Sequence, residues 1–243
     1  MAAPTRFLSG FTQDASWQPL GQIGIPDPFF YASYHDDYIG YIPGRYTNTV
    51  NANGTIAQTA GAYGRILFTT NSSTPLATDI ASQQIDSAAF PIPSGKRVAY
   101  LVRLQLADVT NPQVSFGLIQ TTTTPFTVTD GIYINKPSGS TVLTARCVVS
   151  STVTGSVVVP YTPVNATDFD LAFLVDRKGK VSIWAGTGLI GAKSQNTATL
   201  GPMASFTPTS LPTATLNPTM ALQSGTATSK TMNVDLQFAA VER

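Results

Sequence analysis

Charged residues, cysteine, histidine and glutamate are all scarce in this sequence of 243 residues. Only 11% of the residues are charged and the formal net charge is +1, so the clustered basic surface of a nucleic-acid-binding protein is not expected. The single cysteine, Cys147, excludes an internal disulfide bond. No apolar run reaches the roughly 18 residues of a membrane-spanning helix, and residues 1–11 lack the pattern of a secretory signal. We therefore expect no nucleic-acid and no membrane partner.

The scarcity of helix formers points to the fold class. Glu242 is the only glutamate among 13 acidic residues, and Lys and Gln are also rare beside Thr and Val. Glu, Lys and Gln favour helices, whereas Thr and Val favour strands. The composition therefore predicts an all-β protein.

Apolar and polar side chains alternate with a period of two through most of residues 96–186, with turn residues between the alternating segments. The clearest apolar faces are Tyr100, Val102, Leu104 and Leu106; Val114, Phe116 and Leu118; and Phe169, Leu171, Phe173 and Val175. A closing strand is predicted in which Met232, Val234, Leu236, Phe238 and Ala240 share one face. Strands with one polar face and no convincing helix indicate an antiparallel β-sandwich or jelly roll.

The rest of the chain is predicted to be less regular. Residues 47–62 and 201–218 are interpreted as loops. Residues 71–92 are interpreted as irregular or as carrying one helical turn near residues 79–84. We expect a single sandwich domain at residues 47–243.

Residues 1–46 have no hydrophobic period and are rich in aromatic residues and proline. Proline and the residue before it favour extended backbone, so an extended arm is predicted. Such an arm has to pack on another surface, either its own sandwich or a neighbouring subunit. The aromatic residues assigned to partner binding are Trp17, Phe29, Phe30, Tyr31, Tyr34 and Tyr38.

Three motifs carry a resemblance to a known fold family. They are VSFGLIQ at 114–120, DGIYINKPSGS at 130–140 and DFDLAFLVDRKGKVSIWAG at 168–186. Together with a last strand that returns to the sheet, they make residues 96–243 resemble the concanavalin A-like (LamG-like) jelly roll.

The composition and the arm add a narrower resemblance, to head decoration (cement) proteins of tailed bacteriophages. This resemblance implies a non-enzymatic virion protein on the capsid surface, assembled in the host cytoplasm. Its implied partners are the major capsid protein and sibling subunits, in a homo-oligomer for which analogy favours a trimer.

No catalytic residue is predicted. Glycoside hydrolases normally use two carboxylates, and the Glu-x-Asp-x-x-Glu strand motif of laminarinase-type relatives is missing. Asp168 and Asp170 are the only acidic pair at same-face spacing, and we interpret them as turn caps. His35 lies in the predicted arm, which is a poor scaffold for a catalytic triad. Cys147 falls on an apolar face and is expected to be a buried, inert thiol.

Neither a metal site nor a cofactor is predicted. One His and one Cys cannot build a zinc site, and the Asp clusters at 36–37 and 168–170 are interpreted as solvated or capping side chains, with calcium as the alternative. Trp184 and Tyr133 fall on the polar faces of their strands and are the candidates for contact with a glycan or another subunit. A carbohydrate-binding module is therefore the alternative function, and a glycosidase that uses Asp carboxylates is a third hypothesis.

Overall fold

The computed structural model describes residues 31–38, 41–51, 53–59, 64–71, 73–85, 90–92, 95–187 and 201–243. Within these ranges the chain forms β-strands, one 3-10 turn at Pro43–Arg45 and no α-helix. The strands are Tyr31–Asp36 (β1), Tyr46–Val50 (β2), Thr55–Gln58 (β3), Ile66–Thr69 (β4), Ile80–Ile85 (β5), Val98–Leu106 (β6), Gln113–Ile119 (β7), Gly131–Lys136 (β8), Leu143–Val149 (β9), Thr152–Val159 (β10), Asp168–Val175 (β11), Val181–Gly186 (β12), Ala204–Phe206 (β13), Asn217–Gln223 (β14) and Thr231–Glu242 (β15).

The strands form two antiparallel sheets that pack face to face. The eight-stranded sheet has the order β13-β12-β11-β6-β15-β4-β3, and β1 also pairs with β15. The seven-stranded sheet has the order β10-β9-β8-β7-β14-β5-β2. The predicted all-β, antiparallel jelly-roll sandwich is therefore confirmed.

The main core lies between the two sheets and contains side chains from both. Tyr100 of β6 stacks on Phe173 of β11 with ring centroids 5.5 Å apart, and its hydroxyl donates a hydrogen bond to the Thr219 carbonyl of the other sheet at 3.3 Å. Alternation predicted the inward faces of β6, β7 and β11 correctly, because each of these strands directs its apolar residues into this core.

Several strands lie where the sequence predicts loops. Residues 47–62 hold most of β2 and all of β3, residues 80–85 form β5 in place of a helical turn, and residues 201–218 contain β13 and the start of β14. Those predictions were wrong for two different physical reasons. β2 and β3 are short and mostly polar, so they are stabilised by backbone hydrogen bonds to β5 and β4 and show no apolar pattern. β14 is buried on both faces and therefore shows no alternation of apolar and polar residues.

The predicted single face of the closing strand is also wrong. A β-bulge between Val234 and Leu236 shifts the register of β15 against β6. Met232 and Val234 therefore point into the main core, whereas Leu236, Phe238 and Ala240 point to the opposite face of the sheet. A bulge adds one residue to one strand and reverses the side-chain phase beyond it.

The last third of the predicted arm belongs to the sandwich. β1 pairs with β15 from Tyr31 opposite Glu242 to Asp36 opposite Gln237. Tyr34 and Tyr38 are buried in the main core, and β2 begins at Tyr46. Residues 31–38 and 41–46 are thus part of the sandwich and not of an arm. Trp17, Phe29 and Phe30 lie outside the described residues.

Candidate ligand-binding face

The outward face of the seven-stranded sheet carries transverse rows of side chains that continue across every strand. Each residue in these rows alternates with residues of the main core and therefore points away from it. One row is Thr47, Gln84, Thr219, Gly117, Tyr133, Arg146 and Ser156. The next is Thr49, Ser82, Ala221, Ser115, Asn135, Thr144 and Val158. Hydroxyl and amide groups dominate both rows.

This face is nearly free of charge. The seven strands that form it contain no Asp or Glu, and their only charged residues are Lys136 and Arg146. Lys136 is fully buried, and its ammonium donates to main-chain carbonyls, including those of Ser140 at 2.9 Å and Thr110 at 3.2 Å. Arg146 therefore carries the one charge that is available on the face.

A hydrogen-bonded loop closes one end of the face. The Gln84 side chain donates to Thr219 Oγ1 at 2.8 Å and accepts from the Thr122 N–H at 2.9 Å. Asn217 Nδ2 donates to Thr121 Oγ1 at 2.6 Å. These bonds fix the loop after β7 over the edge of the sheet and leave Gln84 and Thr219 with little hydrogen-bonding capacity for a ligand.

Two buried polar atoms on this face are unpaired within the described part of the chain. Ser115 Oγ and Asn135 Oδ1 make no hydrogen bond, although the two residues are only 1% and 8% exposed. They are direct partners across β7 and β8. Because buried polar atoms almost always have a partner, this pair is the place on the face where a hydrogen-bonding partner is missing among the described residues.

Tyr133 lies in the neighbouring row and packs against a small apolar cluster with Ile119, Val128 and Val148. Burial raises the pKa of the Tyr133 hydroxyl, and the charge of Arg146 opposes that effect. Across the sheet, a Cβ on Gly117 would lie 2.6 Å from the Tyr133 Cα. Only glycine fits there, and its backbone φ of 155° is one that other residues rarely adopt.

Trp184, the other predicted aromatic contact, lies on the opposite side of the molecule. It belongs to β12 of the eight-stranded sheet, faces away from the main core and is 1% exposed. Trp184 and Tyr133 therefore do not form one binding platform. Contact of either ring with a glycan or a subunit stays a prediction.

Asp168 and Asp170 are not turn caps, contrary to our interpretation, because both lie within β11 and pair with arginines. The Arg103 guanidinium donates to both oxygens of Asp170, at 2.8 and 3.2 Å, and Arg65 bonds Asp168 at 2.5 Å. The hydrogen bond with Asp170 raises the pKa of Arg103. Each carboxylate therefore forms an ion pair with an arginine, and Asp170 is fully buried.

The remaining candidate groups are also structural. Cys147 is buried, as predicted, and burial raises the pKa of its thiol. Asp36 accepts hydrogen bonds from the Tyr46 hydroxyl and from the Tyr38 N–H. His35 lies on β1 opposite Phe238 and thus in a sheet, not in an arm. Among the described residues, no three His, Cys, Asp or Glu side chains come together as a metal site would require.

No protein-family model matches this sequence, and no curated protein matches it. Solved structures do match. A protein of unknown function from Shewanella oneidensis is 16% identical with a TM-score of 0.57, over 88% of this chain and 86% of that one. The carbohydrate recognition domain of Emp47p is 12% identical with a TM-score of 0.56, over 87% and 97% of the two chains.

The β-glucanase of Bacillus licheniformis is 12% identical with a TM-score of 0.59, over 86% of this chain and 97% of the enzyme. At such identities the likeness shows the fold, which is that of the concanavalin A-like lectins and glucanases. The predicted virion location, capsid partner and oligomeric state stay predictions. In the described ranges, no helix is long and apolar enough to cross a membrane.

Proposed function

We propose that this chain is a non-catalytic carbohydrate-binding protein that holds a neutral glycan on the outward face of its seven-stranded sheet. The observation that carries the proposal is the unpaired, buried pair of Ser115 Oγ and Asn135 Oδ1 on that face. Leaving a buried polar atom without a partner costs about 1–3 kcal/mol. A bound ligand that supplies the missing partners recovers this free energy.

The chemistry of the face suits sugar hydroxyls. A hydroxyl group both donates and accepts, so it can donate to Asn135 Oδ1 and exchange a hydrogen bond with Ser115 Oγ. Thr144 is adjacent to Asn135 in the same row, and Thr49 lies at the far end of that row. Both extend the set of neutral polar groups. Since the strands of this sheet contain no carboxylate, a neutral ligand fits better than a cationic one.

The distribution of carboxylates supports binding without hydrolysis. Glycoside hydrolysis normally needs two carboxyl groups on either side of the scissile bond. In the described part of the chain, every carboxylate that lies in a strand belongs to the eight-stranded sheet: Asp36, Asp168, Asp170, Asp235 and Glu242. The candidate face therefore lacks the pair of groups that protonates and displaces a glycosidic oxygen. Carbohydrate recognition by a similar structure, the Emp47p domain, agrees with this assignment.

A glycan array of the purified full chain tests the proposal. We expect the wild type to bind neutral glycans and Asn135→Ala to lose that signal, whereas Gln105→Ala, an outward substitution on the other sheet, keeps it. A wild type that binds no glycan, or an Asn135→Ala variant that binds as well as the wild type, contradicts the proposal. Release of reducing sugar from any bound polysaccharide would contradict its non-catalytic part.

The virion role predicted from the sequence is the second candidate function. The low charge and the Ala-, Thr-, Ser- and Gly-rich composition that resemble head decoration proteins favour it. It is compatible with glycan binding, since a virion protein can display a binding face. Co-sedimentation of the full chain with capsids from the same source, at a fixed copy number per shell, is the expected result. A chain that stays in the supernatant would rule it out.

A further inference from the structure

Positive charge collects at one end of the eight-stranded sheet. Six of the 14 Lys and Arg residues in the chain lie there, and each of the six is exposed or half-buried. We call the surface that they form the cationic end. Its members are Lys96, Arg97, Arg177, Lys178, Lys180 and Arg243. They come from three segments that are far apart in the sequence, so no local run of basic residues indicates the cluster.

The register of four adjacent strands brings these segments together. β12, β11, β6 and β15 are neighbours in that order. One row of paired residues runs from Val181 through Val175 and Val98 to Val241. The β11–β12 turn, the start of β6 and the end of β15 therefore lie side by side. Neighbouring strands are about 4.8 Å apart, so the cationic end extends roughly 15 Å across the four strands.

The β11–β12 turn presents two lysines to solvent. The Asp176 carboxylate accepts hydrogen bonds from the main-chain N–H groups of Lys178 and Lys180, at 2.8 and 2.9 Å. Gly179 completes the turn with a φ of 82°, and its N–H donates to the Asp176 carbonyl at 2.9 Å. Lys178 and Lys180 are exposed and form no ion pair in the described part of the chain. Main-chain hydrogen bonds hold this turn, so its lysine side chains are available to a partner.

Glu242 is the other acidic residue of the three segments. It pairs with the Arg177 guanidinium and accepts a hydrogen bond from the Arg97 N–H at 3.0 Å. The hydrogen bond from Arg177 holds the pKa of Glu242 well below its ordinary value. Six cations and two carboxylates give these segments a net side-chain charge of +4, whereas the whole chain carries only +1. The remaining residues are therefore net negative, and a polyanion is attracted to this end alone.

We propose that the cationic end binds an acidic polysaccharide, a linear polymer whose carboxylate or sulfate groups lie along the row of cations. A concentrated charge of one sign attracts a polymer of the opposite sign, and the release of counterions favours the complex. The cationic end belongs to the eight-stranded sheet, whereas the candidate glycan face belongs to the other sheet. The inference therefore does not depend on binding of a neutral glycan.

Two features of this end favour a polysaccharide over other polyanions. Its three segments contain no aromatic residue, on which the bases of a single-stranded nucleic acid would stack. The four strands that carry them all pair on both sides, so none has an open edge for main-chain pairing with an acidic peptide. Side-chain charge is what this surface offers, and an acidic polysaccharide needs nothing more.

Binding of the full chain to polygalacturonate and to dextran sulfate tests the proposal. We expect the wild type to bind one or both, with an affinity that falls as salt is added. Lys178→Gln with Lys180→Gln should weaken binding at least about tenfold. The matched control, Arg45→Gln with Arg65→Gln, removes the same charge from other parts of the surface and should leave the affinity nearly unchanged.

Two further variants fix the sign and the place of the effect. Glu242→Gln removes a negative charge from the cationic end but keeps an acceptor for the Arg97 N–H, so it should bind several-fold tighter. A variant that is merely damaged would bind more weakly. Asn135→Ala, which should abolish neutral-glycan binding, should bind the acidic polymers as well as the wild type does. Loss of this binding in Asn135→Ala would place the acidic polymer on the glycan face and contradict the proposal.

Other results would also overturn it. These are a wild type that binds neither polymer, a Lys178 and Lys180 double variant that binds as well as the wild type, and an equal loss in the arginine control. Single-stranded DNA or polyglutamate that binds more tightly than both polysaccharides would assign the surface to a nucleic acid or to an acidic peptide instead.

Protection from acetylation gives a second measurement that needs no variant. Amine-specific acetylation of the wild type at low salt, read by mass spectrometry, should slow several-fold at Lys178 and Lys180 when the bound polymer is present. High salt should remove the protection. Acetylation of these two lysines that the polymer does not slow would contradict the proposal.

Discussion

Ser115 and Asn135 sit opposite each other on adjacent strands, and each holds a buried oxygen that no other group of the described chain satisfies. Elsewhere on the same face, the comparable buried groups are paired, as Gln84 is with Thr219 at 2.8 Å. An unpaired buried oxygen destabilises the free protein, so this pair stands apart from the other buried polar groups of the face.

The first prediction separates stability from binding at this pair. Asn135→Leu removes the unpaired amide oxygen and fills the same space, so we expect the ligand-free chain to become more stable by about 1 kcal/mol while glycan binding is lost. Urea unfolding measures the first effect and the glycan array the second. Asn48→Leu, at an exposed amide on β2, is the control and should leave glycan binding intact. A less stable Asn135→Leu chain would show that the amide is satisfied in solution.

Gly117 supports a second prediction, because it has no room for a side chain. A Cβ at this position would approach the Ile132 carbonyl oxygen to 2.4 Å and the Tyr133 Cα to 2.6 Å. We expect Gly117→Ala to destabilise the chain by about 3 kcal/mol from overpacking and backbone strain, measured as a lower denaturation midpoint. Gly44→Ala is the control, since nothing lies within 4 Å of its added Cβ. Equal midpoints for the two variants would contradict the prediction.

The third prediction concerns the two arginine–aspartate pairs of β11. Asp170 is fully buried beneath Arg103, whereas Arg65 and Asp168 are partly exposed, with side-chain exposures of 30% and 40%. Arg103→Met strands a buried carboxylate and should cost about 3–5 kcal/mol. Arg65→Met breaks a solvated pair and should cost at most about 1 kcal/mol.

Chemical denaturation of both single variants, together with the double variant Arg103→Met/Asp170→Leu, measures these costs. The double variant should regain part of the stability that Arg103→Met loses, because it removes the stranded charge as well. A double variant less stable than Arg103→Met alone would show that Asp170 has another essential role.

The fourth prediction is a loss of stability in acid that depends on Asp108. Burial acts to raise the pKa of this carboxyl, but hydrogen bonds from Lys230 Nζ at 2.7 Å and from Asn111 and Thr110 outweigh it, so the pKa lies well below the ordinary 3.8. A folded-state pKa below the unfolded one means that the contribution to stability is present above about pH 4 and is lost as the pH falls.

Thermal unfolding as a function of pH should therefore show a steeper acid decline for the wild type than for Asp108→Asn. The variant has no charge to lose at this position, so it starts less stable at neutral pH and changes less below pH 4. Parallel curves for the two proteins would place the acid sensitivity elsewhere.

The inward faces of several strands were predictable from the sequence. Tyr100, Val102 and Leu104 of β6 alternate with residues on the other face, because every second side chain of a strand points into the main core. β14 escaped prediction since it lies between β7 and β5 and is buried on both faces, with Pro218 in its path. The change of side-chain direction along β15 was not predicted, because no local sequence pattern marks the bulge before Leu236.

The candidate site was predicted only in part. The position of Tyr133 on the polar face of its strand was readable from alternation. Ser115 and Asn135 gave no signal, because isolated Ser and Asn residues in a chain rich in small polar side chains do not stand out. Their importance depends on being adjacent, buried and unpaired, and each of these properties arises from strand pairing.

By itself the sequence determined the fold class, since Thr, Val and alternating apolar residues favour strands. Its scarcity of glutamate, histidine and cysteine also limited the catalytic side chains that the chain can supply. Only the tertiary structure decided which strands are neighbours. That pairing set Thr219 beside Gly117 from a strand about a hundred residues away, collected the strand carboxylates on one sheet and turned Phe238 away from the core. Such relationships depend on non-local register, which hydrogen bonding and core packing select together and which no local segment encodes.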